Sequence, residues 1–181
     1  MTQPLAYPAL HASHAGIWIV TPDGTVRGVG RGEAIARAAE TPMILLNAPL
    51  VGERLGYAEL SGLDLLELFA FVHPARFMVP TPKGLAAALG LDVPSDDEAA
   101  AALLPRAAAI LIERLGARDW AEREGAWASA GSLGRLRWPW ASVVSERIAK
   151  PAQAERWLFS KLPEWQESAA RPAPRAFRLN G

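Results

Sequence analysis

The sequence predicts a small β-sheet covered by helices, in an α/β or α+β arrangement. Three observations lead there. Short β-branched and apolar runs are confined to the first fifty residues. Helical spacing of apolar side chains takes over from residue 63. Strands first and helices afterwards is an order that packs as helices layered on a sheet. With 181 residues, 50% hydrophobic and 21% charged, the chain can form one cored domain, or one domain plus an appendage. Wholesale disorder is excluded.

The elements follow in order. Residues 17–20, Ile-Trp-Ile-Val, read as a buried strand. Thr21-Pro22-Asp23-Gly24 is a turn, because Pro presets φ and Asp-Gly tolerates positive φ. Residues 25–29 then form the partner strand of a hairpin. A short helix is expected over 32–40, and another strand over 42–46. Asn47-Ala48-Pro49 breaks it, and a helix starts at Pro49, where the missing N–H costs nothing. Residues 63–72 read as a helix with Asp64 and Glu67 on its polar face, ended by His73-Pro74. Thr81-Pro82-Lys83-Gly84 opens the next helix, which stops at Gly90. Ser95 with Glu98 reads as a capping box. Leu104, Ala108, Leu111 and Leu115 then line one helix face as far as Gly116, with Pro105 expected to kink or restart it.

Composition excludes several function classes. Nineteen basic and nineteen acidic side chains cancel, which argues against polyanion binding by net charge alone. The absence of cysteine removes thiol catalysis, disulfide scaffolds and cysteine-ligated metals. No apolar run approaches the ~20 residues of a membrane span, and no secretory signal is evident. A soluble, cytoplasmic protein without membrane contact is expected. Charge is unevenly spread: residues 1–115 carry eight Lys/Arg against twelve Asp/Glu, and residues 116–181 eleven against seven. Six of the seven tryptophans lie in that basic second part.

Leu46-Asn47-Ala48-Pro49-Leu50-Val51, then Asp64-Leu65-Leu66-Glu67-Leu68, Gly84-Leu85-Ala86-Ala87-Ala88-Leu89-Gly90-Leu91 and Ser95-Asp96-Asp97-Glu98-Ala99, stand in a suggestive order and spacing. Together they resemble the proofreading-exonuclease domain, an RNase H-like fold. With Pro74-Ala75-Arg76-Phe77, Arg137-Trp138-Pro139-Trp140 and Trp157-Leu158-Phe159-Ser160-Lys161-Leu162-Pro163, the chain is similar to the N-terminal extension of bacterial DinG-type ATP-dependent DNA helicases. The resemblance implies a degenerate exonuclease-like α/β domain over 1–115 and a Trp/Arg-rich, mainly helical extension over 116–170. A linker over 171–181 would lead to a following domain.

Carried over residue by residue, the exonuclease chemistry fails. That chemistry holds two metal ions with four carboxylates. The strand at 17–20, taken as the family's first, offers none. The second-motif aspartate falls on Val51 and its preceding aromatic on Leu50. Asp97 alone stands at a metal-ligand position, and Asp92 replaces the general-base histidine. One carboxylate cannot hold two hard cations. Asp97 also has a plain role as a first-turn acid facing the helix dipole. No Gly-x-x-x-x-Gly-Lys-Ser/Thr loop occurs, so ATP and magnesium are expected only in a motor domain beyond Gly181. The expected function is a non-catalytic accessory domain of a DNA helicase, assisting DNA engagement or motor positioning. A divergent metal-dependent 3′–5′ exonuclease and a purely structural docking module are the alternatives.

Two clusters remain. His11-Ala12-Ser13-His14 lacks an orienting acid in sequence and reads as an N-terminal surface segment. His73 reads as a helix-end cation. Arg118, Trp120, Arg123, Trp127, Arg135, Arg137, Trp138 and Trp140 interleave flat π surfaces with cations. That mixture suits single-stranded DNA, where bases stack on aromatics and guanidinium groups neutralise phosphates. It equally suits a packed core. Trp157, Phe159 and Trp165 are expected to pack on this domain or on the motor.

Overall fold

A computed structural model describes residues 5–148. It is an α/β protein with an open, mixed five-stranded sheet and, among the described residues, seven helices. The strands are β1 (Ala9–Ala12), β2 (Ile17–Val20), β3 (Val26–Val29), β4 (Ile44–Leu45) and β5 (Leu63–Asp64). Their order across the sheet is β3-β2-β1-β4-β5. Only β2 runs against the rest: it is antiparallel to β1 and β3, while β4 is parallel to β1 and β5 to β4.

Alternation along the strands sorts the core into two layers, as the pleat requires. Ala9, Val20, Ile44 and Leu63 join one apolar cluster, while Leu10, Ile19, Met43 and Leu45 join the other. The second cluster is closed by Ala34 of α1 (Arg31–Glu40) and by Val51 and Leu55 of α2 (Ala48–Leu55). The first is larger and is closed by α3 (Leu65–Val72), α4 (Pro82–Leu89) and α5 (Asp97–Leu115). Trp120 and α6 (Ala126–Arg135) and α7 (Ala141–Arg147) complete it through Ala126, Ala130, Trp140 and Val144. The change of composition at Gly116 therefore falls at the end of α5 and not at the end of the core. Residues 149–170 and the expected linker at 171–181, with Trp157, Phe159 and Trp165, lie outside the described residues.

Four expectations change. The segment around His11 is no surface segment: it is β1, the central strand, with His11 only 8% exposed. Asp64 is not on a polar helix face but is the buried N-cap of α3. The cap of α5 is Asp96, one residue later than Ser95, and its carboxylate accepts from the Ala99 N–H at 2.8 Å. Pro105 does not restart the helix, because α5 runs on through it from Asp97 to Leu115. The buried stripe of Leu104, Ala108, Leu111 and Leu115 holds the helix across the N–H that proline lacks.

The hairpin turn, the Asn47 break and the Thr81 and Gly90 helix boundaries stand as the sequence predicts. Gly24 has φ 94° in the turn, where Asp23 accepts from the Thr25 N–H at 3.0 Å and from the Thr21 hydroxyl. Asn47 caps α2 from a left-handed conformation that asparagine tolerates, and its Oδ1 accepts from the Leu50 N–H at 3.4 Å.

Candidate functional site

A cleft of about 340 Å³ opens beside the carboxyl end of β1. Four segments far apart in sequence wall it. His11 and Ser13 come from β1 and the turn after it, Arg54 from α2, Thr81 and Lys83 from the start of α4, and Ser95, Asp96 and Asp97 from the start of α5. Parallel strands point their carboxyl ends to one edge of the sheet. β1 sits where the strand order turns, the place where open α/β sheets bind ligands.

At the centre, His11 Nε2 lies 2.9 Å from Asp97 Oδ1, across 86 residues of sequence. The ring is held in place by Trp18 of β2, at a centroid distance of 5.8 Å. The hydrogen bond from His11 keeps the Asp97 carboxyl below its ordinary range. Burial opposes this, while the Ser13 hydroxyl and the charges of His11 and Arg54 reinforce it. Arg54 is fixed by donating from Nη1 to the Ala12 carbonyl at 2.6 Å. The Asp96 carboxylate is committed to the cap of α5.

A carboxyl whose folded pKa is depressed adds stability that is present above its unfolded value, about 4. That stability is lost as pH falls through the lower folded value. Unfolding midpoints should therefore drop on acidification from about pH 4 downward. Asp97→Asn should flatten that acid limb while leaving the neutral-pH midpoint within about 1 kcal/mol, since the side chain is 31% exposed. An unchanged acid limb in the variant would remove Asp97 from the account.

The exonuclease-like positions can now be placed. Asp97 does lie in the cleft, but the side chains facing it from β1 and the turn after it are His11 and Ser13. Val51 is buried in the second core cluster, Leu50 is half-buried, and Asp92 is exposed. Among the described residues no three His, Asp or Glu side chains converge to hold a metal ion. The donor set does not fit two hard cations, which need several oxygen ligands each.

The proposed DNA-contact residues divide. Trp140 is fully buried and donates its indole N–H to the Asp64 carbonyl at 2.8 Å, which corrects its assignment as a contact residue. Trp120 is likewise buried and donates to the Val72 carbonyl at 2.8 Å. Trp138 is half-buried against Phe71, at 5.2 Å between centroids, and Trp127 is half-buried. Trp138 also hydrogen-bonds Glu67, whose carboxyl is pushed up by burial and then by the charge of Asp64. Arg118, Arg123, Arg135 and Arg137 are all exposed. Arg135 donates to the Ser132 hydroxyl at 3.0 Å, and Arg137 follows in a left-handed conformation with φ 63°. His73 caps α3, but burial, then Arg76 and Arg114, push its pKa down. The neutral ring is favoured there, against the expected cation.

Sequence reasoning missed His11, Ser13, Arg54 and Lys83 as neighbours of Asp97. Ala-Leu-His-Ala has no β-branched residue, so its strand character comes from pairing on both sides and not from propensity. The available signal was the Ser13-His14-Ala15-Gly16 turn, closed by the Ser13 N–H on the Gly16 carbonyl at 2.9 Å, directly before an obvious strand. No known protein family, curated protein or solved structure matches the chain.

Proposed function

We propose that this chain is a non-catalytic accessory domain of an ATP-dependent DNA helicase, built on a degenerate exonuclease-like, RNase H-like fold. One observation carries the reading. The cleft at the carboxyl end of the central strand keeps Asp97 but sets His11 and Ser13 against it where metal-binding acids would be needed. The strand order β3-β2-β1-β4-β5, with β2 alone reversed, supports it, because RNase H-like sheets share that order. ATP and magnesium belong to a motor domain beyond residue 181. Exposed Arg118, Arg123, Arg135 and Arg137 would meet single-stranded DNA through its phosphates, with Trp127 and Trp138 offering partial stacking faces.

The test has two arms. The purified chain should degrade no DNA with magnesium or manganese; metal-dependent digestion lost in Asp97→Ala would instead establish the divergent exonuclease. It should bind single strands weakly, with affinity falling as salt rises. Replacing Arg135 and Arg137 together by glutamine should lower the log–log salt slope by up to about 1.4, the value for two phosphate contacts on a single strand. No binding at low salt would favour the docking module. Leu136, 78% exposed between the two arginines, is the observation on that side.

A further inference from the structure

α6 ends in a cap that carries a conformational cost. The Arg137 N–H donates to the Gly134 carbonyl at 3.0 Å, and the Trp138 N–H to the Leu133 carbonyl at 3.0 Å. That pair of bonds is the Schellman cap, whose turning residue takes a left-handed backbone and is most often glycine. Here the turning residue is Arg137, with φ 63°, so a Cβ and a cation occupy a glycine position. Local structure does not require them, since glycine would close the same cap with less strain. The cap is firmly seated: Trp138 packs on Phe71 at 5.2 Å between centroids and hydrogen-bonds Glu67. At its tip Leu136 is 78% exposed, preceded by Arg135 and followed by Arg137. No acid occurs between Glu124 and Glu146, and neither arginine has an ion-pair partner among the described residues. The helix-end carbonyls of Ser132, Leu133 and Gly134 are taken by N–H groups of the cap. The charge presented there is that of the two guanidinium groups.

We propose that this cap recognises the junction where single-stranded DNA meets a duplex, with Leu136 against the open face of the last base pair and Arg135 and Arg137 on phosphates. The inference rests on the reading of residues 118–138 as a DNA contact, and it names the DNA structure that they meet. An apolar side chain set between cations matches a surface that is itself apolar and bordered by phosphates. The last base pair of a duplex is such a surface, with a strand backbone on each side, whereas a lone strand borders its bases on one side only. Leucine is among the apolar side chains that proteins set between base steps. A stretch with cations and no acids also suits DNA better than a protein partner, because interfaces with DNA are much the more positively charged.

Fluorescence anisotropy of the full-length chain at low salt compares a labelled single strand with a duplex bearing one single-stranded arm. The armed duplex should bind about tenfold tighter, the scale of burying one leucine. Leu136→Ala should remove that preference and leave single-strand affinity unchanged. The side chain is exposed, so the variant does not endanger the fold. Arg137→Gly should weaken binding of both probes while raising the Tm by about 2 °C, because the left-handed backbone is then unstrained. A purely structural arginine would give the rise in Tm with no loss of binding, and that result overturns the proposal. Equal affinity for the two probes, or a preference that survives in Leu136→Ala, overturns it as well. Single-strand binding would in those cases still support DNA engagement by residues 118–138. No binding of either probe overturns both readings and leaves Leu136 to a protein partner.

Discussion

Trp140→Ala should destabilise the domain by about 4 kcal/mol, the cost of emptying a buried tryptophan site, and lower its Tm by roughly 10 °C. The side chain has 0% exposure and sits in the larger core among residues of α3, α5 and α7. Its removal leaves a cavity and strips a donor from the Asp64 carbonyl. Trp140→Phe keeps most of the volume and should cost about 2 kcal/mol, chiefly the lost N–H. Denaturant unfolding of both variants measures this. A loss under about 1 kcal/mol for the alanine would move Trp140 to the surface and return it to the stacking residues.

Asp64→Ala should cost about 3 kcal/mol, because a buried charged acceptor is removed and its donors are left behind. The carboxylate, 5% exposed, accepts from the backbone N–H groups of Asn47 at 2.9 Å, Ala48 at 2.8 Å and Leu66 at 3.0 Å. Two helix starts are thereby tied to one side chain, at the points where β4 and β5 hand over to α2 and α3. Asp64→Asn keeps one acceptor oxygen and should lose about half as much. Thermal melts would separate the two, and equal stability of Asp64→Ala and wild type would mean that water reaches those donors.

Most helices were legible because their signals are local. Thr81-Pro82 with Gly90, and the apolar stripe from Leu104 to Leu115, fix their elements within a few turns of chain. β2 and β3 were legible for the same reason, from β-branched residues around a Pro-Asp-Gly turn. What escaped depends on partners far away in sequence. β1 is a strand because β2 and β4 hydrogen-bond it on both sides. Asp64 looks like a surface acid until Asn47 and Ala48 turn their N–H groups toward it. The cleft suffered most. Asp97 was found from a motif, but His11 pairs with it only because the central strand brings residue 11 beside the start of α5. The tryptophans were ambiguous in principle, since the same indole serves a core or a base stack. Burial assigned Trp120 and Trp140 to the core, a property no local pattern carries.

The two indole hydrogen bonds on α3 bear on how the chain is made. Trp120 meets the helix at Val72, 48 residues upstream, and Trp140 meets its cap at Asp64, 76 residues upstream. During synthesis the sheet and α3 leave the ribosome long before either indole exists. Until then α3 carries an uncovered apolar flank and a terminal carbonyl that only water can satisfy. Such half-finished surfaces are what nascent chains stick by. The interval between residue 72 and residue 140 is thus the vulnerable stage of this protein's biogenesis. A chain stopped at Gly116 would remain in it.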